Sequence, residues 1–252
     1  MKADYQAIAQ FYDVGTGLSQ GTLRMWLDLI VESGGKTEGA RALDLGCGTG
    51  RFTLPMAREL GYRPVGVDSS PEMLEKAKEK VGACDVEWGC MDAADLCYSD
   101  ASFDLVFMSH LLHHIDDPAA VLAECYRVSR PDSSILVRFG AMENIREDAV
   151  HTLFPESIDI DQPRTPTVAQ LEQLVSGAGY SQVQSREVVQ RTHQSGEDYL
   201  KAIRAKHISV LTLMSDQAFE IGVTRLAERV EANPSDPWLL HNSLTLTTGY
   251  KK

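Results

Sequence analysis

Short apolar runs alternate along the first two thirds of the chain with segments whose apolar positions recur at helical spacing. Runs such as RALDLG and FDLVFMSH are typical of buried strands, whereas the stretches near 71–81 and 117–128 are typical of amphipathic helices. Alternation of this length predicts right-handed βαβ crossovers. We therefore expect an α/β fold built on a parallel sheet with helices on both faces.

The two ends of the chain follow other patterns. Residues 3–33 carry apolar positions at helical spacing and predict helices ahead of the first strand. After a helix near 167–178, the segment SQVQSREVVQRT predicts a strand and residues 195–232 predict a mainly helical stretch. The segment HNSLTLTTGYKK predicts the last strand, and no internal repeat or linker interrupts the chain.

Charge and hydropathy limit the classes of partner. The 252 residues include 24 Lys and Arg against 36 Asp and Glu, a net charge of -12, so the surface repels a phosphate backbone and nucleic acid is disfavoured as a partner. No run of about 18 apolar residues is present to span a bilayer, and the polar residues at the N-terminus do not fit a secretory signal. These features predict no membrane span and a cytoplasmic location.

The cysteines do not predict a disulfide framework. Their number is odd, five, and no C-x-x-C pair occurs. We expect reduced thiols that are mostly buried.

A glycine-rich turn follows the first predicted strand. In LDLGCGTGRF the glycines have the spacing G-x-G-x-G, and Arg51 stands where a dinucleotide fingerprint needs its third glycine. Asp68 ends the next predicted strand, at the place from which a carboxylate accepts hydrogen bonds from ribose hydroxyls. Together the turn and the acid predict a crevice that binds a nucleoside.

Four segments in this order and spacing resemble the class I S-adenosylmethionine-dependent methyltransferases: LDLGCGTGRF, GVDSSPEMLEKA, CMDAADLCYSDASFDLVF and HLLHHIDDPAAVLAECYRVSRP. Within that class the chain resembles the branch of the ubiquinone and menaquinone biosynthesis methyltransferases. The resemblance implies a Rossmann-like seven-stranded sheet with an antiparallel last strand and helical cap insertions. It also implies S-adenosylmethionine as cofactor and S-adenosylhomocysteine as product.

The resemblance assigns cofactor-binding positions residue by residue. The turn residues approach the methionine and ribose portions, the residues of the second segment hold the ribose and flank the adenine, and those of the third meet the adenine. The implied set is Tyr12, Asp44, Gly46, Cys47, Gly48, Gly50, Asp68, Ser69, Met73, Met91, Asp92, Ala93 and Ser109. Three members have structural alternatives, because Asp44 could cap the loop or helix, Met73 could pack in a core and Tyr12 could pack against the sheet edge.

The segment SHLLHHIDD supplies candidates for a general base. His110 is the first candidate and His114 the second, and a purely structural role for each stays open. The i, i+3, i+4 spacing with His113 would suit a metal, but no further ligand is placed by an obvious motif, so we predict no metal site. Family members typically have a Lys-Pro-Gly-Gly turn before the fifth strand, where this chain has Asp132 and Ser133, residues that tolerate turn geometry.

Residues 1–252 are interpreted as one methyltransferase domain. Its parts are an N-terminal helical lid at 1–35, a cofactor-binding core at 40–142, and substrate caps at 143–166 and 195–232. The expected activity is methyl transfer to a small molecule, with the accepting atom, O, N, C or S, left open. Two alternative functions stay open: an RNA or protein methyltransferase, and a non-catalytic module that binds S-adenosylmethionine. The expected partner is a small-molecule substrate, and the oligomeric state, with a homodimer among the alternatives, stays open.

Overall fold

Seven strands within the described residues form one mixed sheet. The computed structural model describes residues 18–35, 38–80, 82 and 85–252. The strands are β1 Arg41–Leu45, β2 Arg63–Asp68, β3 Glu87–Cys90, β4 Phe103–Ser109, β5 Ser129–Phe139, β6 Ser181–Arg191 and β7 His241–Tyr250. Their order is β3-β2-β1-β4-β5-β7-β6, and β7 runs antiparallel to β5. The predicted seven-stranded sheet with an antiparallel last strand is confirmed.

Helices connect the strands at the predicted places. Those around the sheet are α1 Gln20–Gly34, α2 Thr53–Leu60, α3 Pro71–Glu79, α4 Pro118–Val128 and α8 Val168–Gly177. Between β5 and α8 lie three short helices, α5 Met142–Glu147, α6 Ala149–Leu153 and α7 Glu156–Asp161. Between β6 and β7 lie α9 Gly196–Arg204, α10 Ser209–Leu213, α11 Asp216–Ala232 and α12 Pro237–Leu240. Short 3-10 turns occupy Leu112–His114 and Gln162–Arg164.

The carboxyl ends of the parallel strands meet at one edge of the sheet. Leu45 of β1 pairs with Val67 of β2 and with Met108 of β4. Ser109 at the end of β4 pairs with Arg138 of β5. In open α/β sheets ligands bind outside these carboxyl ends, so the register brings the candidate residues to one edge.

The fifth strand begins earlier than its apolar run. Its register with β4 jumps from Phe103 opposite Ser129 to Leu105 opposite Ser134. Asp132 lies in this bulge with φ of +61°, and its N–H donates to the carbonyl of Lys251 at 2.8 Å. Asp is among the residues that tolerate this left-handed conformation, which confirms that the turn survives without glycine.

The chain divides into two compact units, which we describe separately. The first contains residues 24–139, 168–186 and 245–252 and holds the core of the sheet. The second contains residues 140–167 and 187–244 with the described residues 18–23. The interpretation of the whole chain as one domain stays a prediction. No helix in the described parts of the chain is long and apolar enough to cross a membrane.

Helices of the second unit bury a core of their own. Phe154, Tyr199, Ile203 and Phe219 are buried in one cluster, with Leu211 and Met214 among their neighbours. The expected helical folding of residues 195–232 is therefore confirmed. Burial of this many apolar side chains explains why the insertion does not remain an extended surface loop.

A buried histidine links three short elements of the second unit. The His151 side chain is 5% exposed; its Nδ1 lies 2.8 Å from Asp148 Oδ1 and its Nε2 lies 2.9 Å from Asp161 Oδ2. Asp161 also accepts a hydrogen bond from Arg164 Nε at 2.7 Å. Burial alone would lower the pKa of His151, but the hydrogen bonds and charges of Asp148 and Asp161 outweigh it and raise the pKa to about 9.

We expect this histidine to make stability depend on pH. Because its folded pKa lies above the unfolded value of about 6.5, its contribution is complete below that pH and is lost as pH rises through about 9. The shift corresponds to about 3 kcal/mol. Urea unfolding of the wild-type protein and of His151→Gln from pH 6 to pH 10 measures this contribution to the free energy of unfolding. A difference between wild type and His151→Gln that does not shrink with rising pH would contradict the charged network.

Candidate cofactor-binding and active site

The glycine turn after β1 has a left-handed backbone at each of its three glycines. The φ angles are +72° at Gly46, +54° at Gly48 and +77° at Gly50, a region that side chains with a Cβ rarely adopt. The N–H groups of Gly46 and Cys47 both donate to the carbonyl of Val67, at 2.8 and 2.9 Å. The turn is therefore pinned to the end of β2.

The Asp68 carboxylate also stabilises this turn, by accepting backbone hydrogen bonds. Its Oδ2 accepts the N–H of Gly48 at 2.8 Å, and its Oδ1 accepts the N–H of Ser70 at 2.9 Å. Burial raises the pKa of Asp68, and the N–H donors partly counter this effect. The N–H groups of Gly48, Ser69 and Ser70 all act on this carboxylate, which has about four lone-pair sites, so acceptor capacity remains for a ribose hydroxyl.

Asp44 lies beneath the turn and is 2% exposed. Its Oδ2 accepts the hydroxyl of Thr53, the first residue of α2, at 2.6 Å. Burial raises the pKa of Asp44 to about 7; the Thr53 hydrogen bonds lower it and the charge of Asp68 raises it further. The hydrogen bond from Thr53 shows that Asp44 makes the capping contact that was considered as its structural alternative. The Asp44 carboxyl also titrates near neutrality.

Trp88 supports the turn from β3, a role that the sequence analysis missed. A Cβ on Gly66 would come within 2.5 Å of the Trp88 ring, and a Cβ on Gly50 within 2.9 Å. The indole therefore occupies the space that these two glycines leave open. The signal available in the sequence was a large aromatic residue in the edge strand EWGC, one strand away from two glycine-containing segments.

Residues of the second segment differ in their exposure. Ser69 is exposed, and Ser70, not Ser69, caps α3 by accepting the N–H of Met73 at 3.2 Å. Met73 is 3% exposed, which agrees with the packing alternative for its side chain. A cofactor contact by either Ser69 or Met73 stays a prediction.

The third segment follows β3 at the same edge. Asp92 is exposed and its Oδ1 accepts the N–H of Ala94 at 2.8 Å. Met91 packs partly buried against the core that contains Ala93. The arrangement presents one exposed carboxylate beside apolar groups, as binding of an adenine ring and its amino group requires.

His110 follows β4 directly and has an unusual backbone. Its φ is +53°, and its N–H donates to the carbonyl of Arg138 at 3.0 Å. Burial lowers the pKa of the imidazole well below its usual value, and the charges of Arg138, Arg51 and His114 act in the same direction. These effects favour the neutral imidazole and disfavour its protonation, so a role of His110 as general base stays a prediction.

The neighbouring histidines lie in the 3-10 turn Leu112–His114. The rings of His113 and His114 are 3.7 Å apart between centroids, and those of His110 and His113 are 6.4 Å apart. The following helix is capped by Asp117, which accepts the N–H of Ala120 at 3.1 Å, so capping does not explain these histidines. No metal-holding group of three or more His, Cys, Asp or Glu occurs in the part of the chain that the structure describes.

Two earlier candidates lie outside the described residues: Tyr12 of the cofactor set and Cys84 of the cysteines. The described cysteines are free thiols, of which Cys47 and Cys125 are buried while Cys90 and Cys97 are exposed. The expectation of reduced thiols holds for these four, although only two of them are buried.

Comparison with known proteins places the chain in a family. The model of the family described as "Methyltransferase domain" matches residues 43–137. A ubiquinone/menaquinone biosynthesis C-methyltransferase of Bdellovibrio bacteriovorus is 30% identical over 159 residues, which cover 61% of this chain and 68% of that protein. The chain belongs to the class I S-adenosylmethionine-dependent methyltransferases.

Two further relatives have names from the same branch of the family. An enzyme of the same description from Desulfotalea psychrophila is 35% identical over 129 residues, 50% of this chain and 52% of that protein. A demethylmenaquinone methyltransferase of Renibacterium salmoninarum is 35% identical over 136 residues, 54% of this chain and 56% of that protein. The chain thus spans about half the length of these two relatives.

Among solved structures, phosphoethanolamine N-methyltransferase 2 of Haemonchus contortus, in complex with S-adenosyl-L-methionine, superposes with a TM-score of 0.66 and 21% identity. The match covers 97% of this chain and 57% of that one. The 4+2 cyclase SpnF superposes with a TM-score of 0.62 and 21% identity over 94% of this chain and 85% of that one. At this identity the likeness concerns the fold, which by itself does not determine the reaction.

Proposed function

We propose that this protein transfers the methyl group of S-adenosylmethionine to a small-molecule acceptor. The observation that carries the proposal is the contact between the glycine turn and Asp68, whose carboxylate accepts the N–H of Gly48 at 2.8 Å and keeps acceptor capacity for a ribose hydroxyl. A Cβ at Gly48 would meet nothing within 4 Å, so the turn leaves open space beside this carboxylate. The site therefore fits the cofactor of its family.

The chain's own residues supply binding, orientation and proton transfer. When bound, the cofactor supplies an electrophilic methyl group on a sulfonium, and the protein aligns a nucleophile and excludes water. Asp68 holds the ribose, Asp92 accepts from the adenine amino group, and Asp44 stabilises the methionine amino group. His110, or His114 as second candidate, accepts the proton of an acceptor that must lose one.

The acceptor is selected by segments outside the sheet. We infer that residues 143–166 and 195–232 form the substrate cap, because the family's sheet supplies the cofactor site and specificity comes from elements around it. A quinone-like small molecule is the favoured class, since the relatives are named for quinone biosynthesis. A cytoplasmic location and a homodimer stay predictions.

Incubation with methyl-labelled S-adenosylmethionine and a metabolite extract tests the activity. Labelled product identified by mass spectrometry supports it. Thermal shift tests the cofactor, because a ligand that binds only the folded state raises its stability. S-adenosylhomocysteine should stabilise the protein and NAD should not, since Arg51 replaces the third glycine of a dinucleotide loop. Binding without any labelled product would favour the non-catalytic module, and stabilisation by NAD alone would contradict the cofactor.

The pKa of Asp44 predicts how cofactor affinity depends on pH. The ionised carboxyl favours a cationic amino group, and burial raises its pKa to about 7, with the charge of Asp68 acting in the same direction and the Thr53 hydrogen bonds acting against it. Affinity for S-adenosylhomocysteine should rise by about tenfold from pH 6 to pH 8 as Asp44 ionises and then level off. Calorimetry measures this, and Asp44→Asn should bind more weakly with a flat profile. An equal slope in Asp44→Asn would assign the pH dependence to another group.

A further inference from the structure

The last strand of the sheet has one edge without a neighbouring strand. Among the described residues the sheet ends at β6, which lies beside β7. Ser185 Oγ lies 2.8 Å from Thr247 Oγ1, and Gln190 Nε2 donates to Asn242 Oδ1 at 2.9 Å. Residue numbers rise along β6 while they fall along β7, so the two strands are antiparallel with a constant register. The other edge of β6 carries backbone groups that no strand of the described sheet uses, and such a row is a template for a further strand.

Alternate residues of β6 point their backbone groups toward this open edge. Thr192 directly follows β6, and its N–H donates to the carbonyl of Leu240 at 2.8 Å, so it faces β7. In an antiparallel pair, residues that exchange hydrogen bonds with the neighbouring strand alternate with residues that do not. Glu187, Val189 and Arg191 are therefore the residues whose N–H and C=O groups point outward.

The side chains of the same three residues lie on one face of β6 and are exposed. Val189 is 58% exposed, more than any other large apolar residue in the described part of the chain. Glu187 stands two positions before it, and its carboxylate forms no ion pair within the described residues. Arg191 stands two positions after it. The open edge thus presents an acid, an apolar group and a base at equal spacing.

We propose that β6 pairs with β6 of a second copy of this chain, antiparallel about a two-fold axis at Val189. A two-fold interface places the same surface of each copy against the other. In this register Val189 lies opposite its own counterpart, and Glu187 lies opposite Arg191 of the second copy on both sides of the axis. Each of these pairs can exchange its outward N–H and C=O groups, and opposite charges meet on one face of the sheet. The inference concerns assembly and does not depend on the proposed methyl transfer.

Charge selects this register over the neighbouring ones. A two-fold axis at Glu187 would place two carboxylates opposite each other, and an axis at Arg191 would do the same with two guanidinium groups. Like charges directly opposite each other destabilise a sheet. An axis at Val188 or at Gln190 would place Val189 opposite a charged residue, whereas the axis at Val189 pairs each charge with its opposite.

One hydrogen bond already reaches the open edge near its end. The hydroxyl of Thr22 donates to the carbonyl of Arg191 at 2.8 Å. A carbonyl oxygen has two lone pairs, so this oxygen keeps one for the N–H of Glu187 of the second copy. The contact with Thr22 is therefore compatible with the pairing.

Sedimentation equilibrium over a range of protein concentrations measures the association. The wild-type protein should form dimers, and Val189→Pro should weaken them at least about tenfold, because proline removes the outward N–H and is tolerated on an edge strand. Circular dichroism checks that this variant and those below keep the fold. A wild-type protein that stays monomeric up to about 1 mM, a concentration at which weak interfaces are already populated, would overturn the proposal.

Charge reversals test the register itself. In Glu187→Arg and in Arg191→Glu like charges would lie opposite each other, so each variant alone should associate about tenfold more weakly than wild type. A mixture of these two variants should form dimers again, because each substituted residue then meets an opposite charge. Glu228→Arg makes the same change of charge as Glu187→Arg at an exposed position of α11 and should leave association unchanged. Dimers that persist in both single variants, or a mixture that stays monomeric, would overturn the pairing of β6.

Discussion

Asp68→Asn is expected to lower the affinity for S-adenosylhomocysteine at least about tenfold, because the carboxylate should accept ribose hydroxyls and an amide keeps only one acceptor oxygen. Charge-assisted hydrogen bonds are worth roughly 1.5–3 kcal/mol each, so losing one corresponds to about tenfold or more. The substitution also weakens the hold on the glycine turn, since Asp68 accepts the N–H of Gly48. Isothermal titration calorimetry measures the affinity.

Asp95→Asn is the matched control for this prediction. Asp95 is an exposed acid near the same edge, and its backbone N–H donates to the carbonyl of Asp92 in a contact that the substitution keeps. The affinity of Asp95→Asn for S-adenosylhomocysteine should stay within about twofold of the wild-type value, because surface substitutions away from a site usually have small effects. An Asp68→Asn protein that is folded and binds as tightly as wild type would exclude Asp68 as the ribose-binding acid.

Gly48→Ala is expected to weaken cofactor binding strongly while it lowers the stability of the apo protein only slightly. Gly48 has a φ of +54°, and a Cβ there would meet nothing within 4 Å. The apo protein should therefore lose only the cost of a left-handed alanine, about 1–2 kcal/mol. Affinity for S-adenosylhomocysteine should fall at least about 30-fold, roughly 2 kcal/mol, since the methyl group would occupy space that we assign to the cofactor.

Gly39→Ala provides the comparison for Gly48→Ala. Gly39 precedes β1 with a φ of +68°, and a Cβ there also meets nothing within 4 Å. Both variants should lower the melting temperature by a similar amount, and only Gly48→Ala should weaken binding. Equal affinities in the two variants would show that the turn does not approach the cofactor.

Elements with strong local periodicity were predictable from the sequence. The helix expected at 71–81 is Pro71–Glu79, the one near 117–128 is Pro118–Val128, and the strand SQVQSREVVQRT is Ser181–Arg191. The glycine turn and Asp68 were also predictable, because the left-handed backbone needs glycine and the acid ends a strand next to it. Both signals are local, and a few neighbouring residues determine them.

Contacts between distant parts of the chain were not predictable in this way. The residues around Asp132 do not predict the bulge in β5 by themselves. The N–H of Asp132 donates to the carbonyl of Lys251, which lies at the other end of the chain. The short helices after β5 carry too few residues for a periodic pattern. Their arrangement depends on His151 lying between Asp148 and Asp161, which no spacing rule selects.

The sequence by itself determined the order of strands and helices, the glycine turn, the acids at the strand ends and the family. Only the tertiary structure showed that Trp88 fills the space beside Gly50 and Gly66, and that Arg138 is fixed by Trp26 and Ser109. The physical reason is that periodicity and turn chemistry depend on residues a few positions apart. Packing and electrostatic fields instead depend on distance in space, which becomes defined when the sheet brings separate strands together.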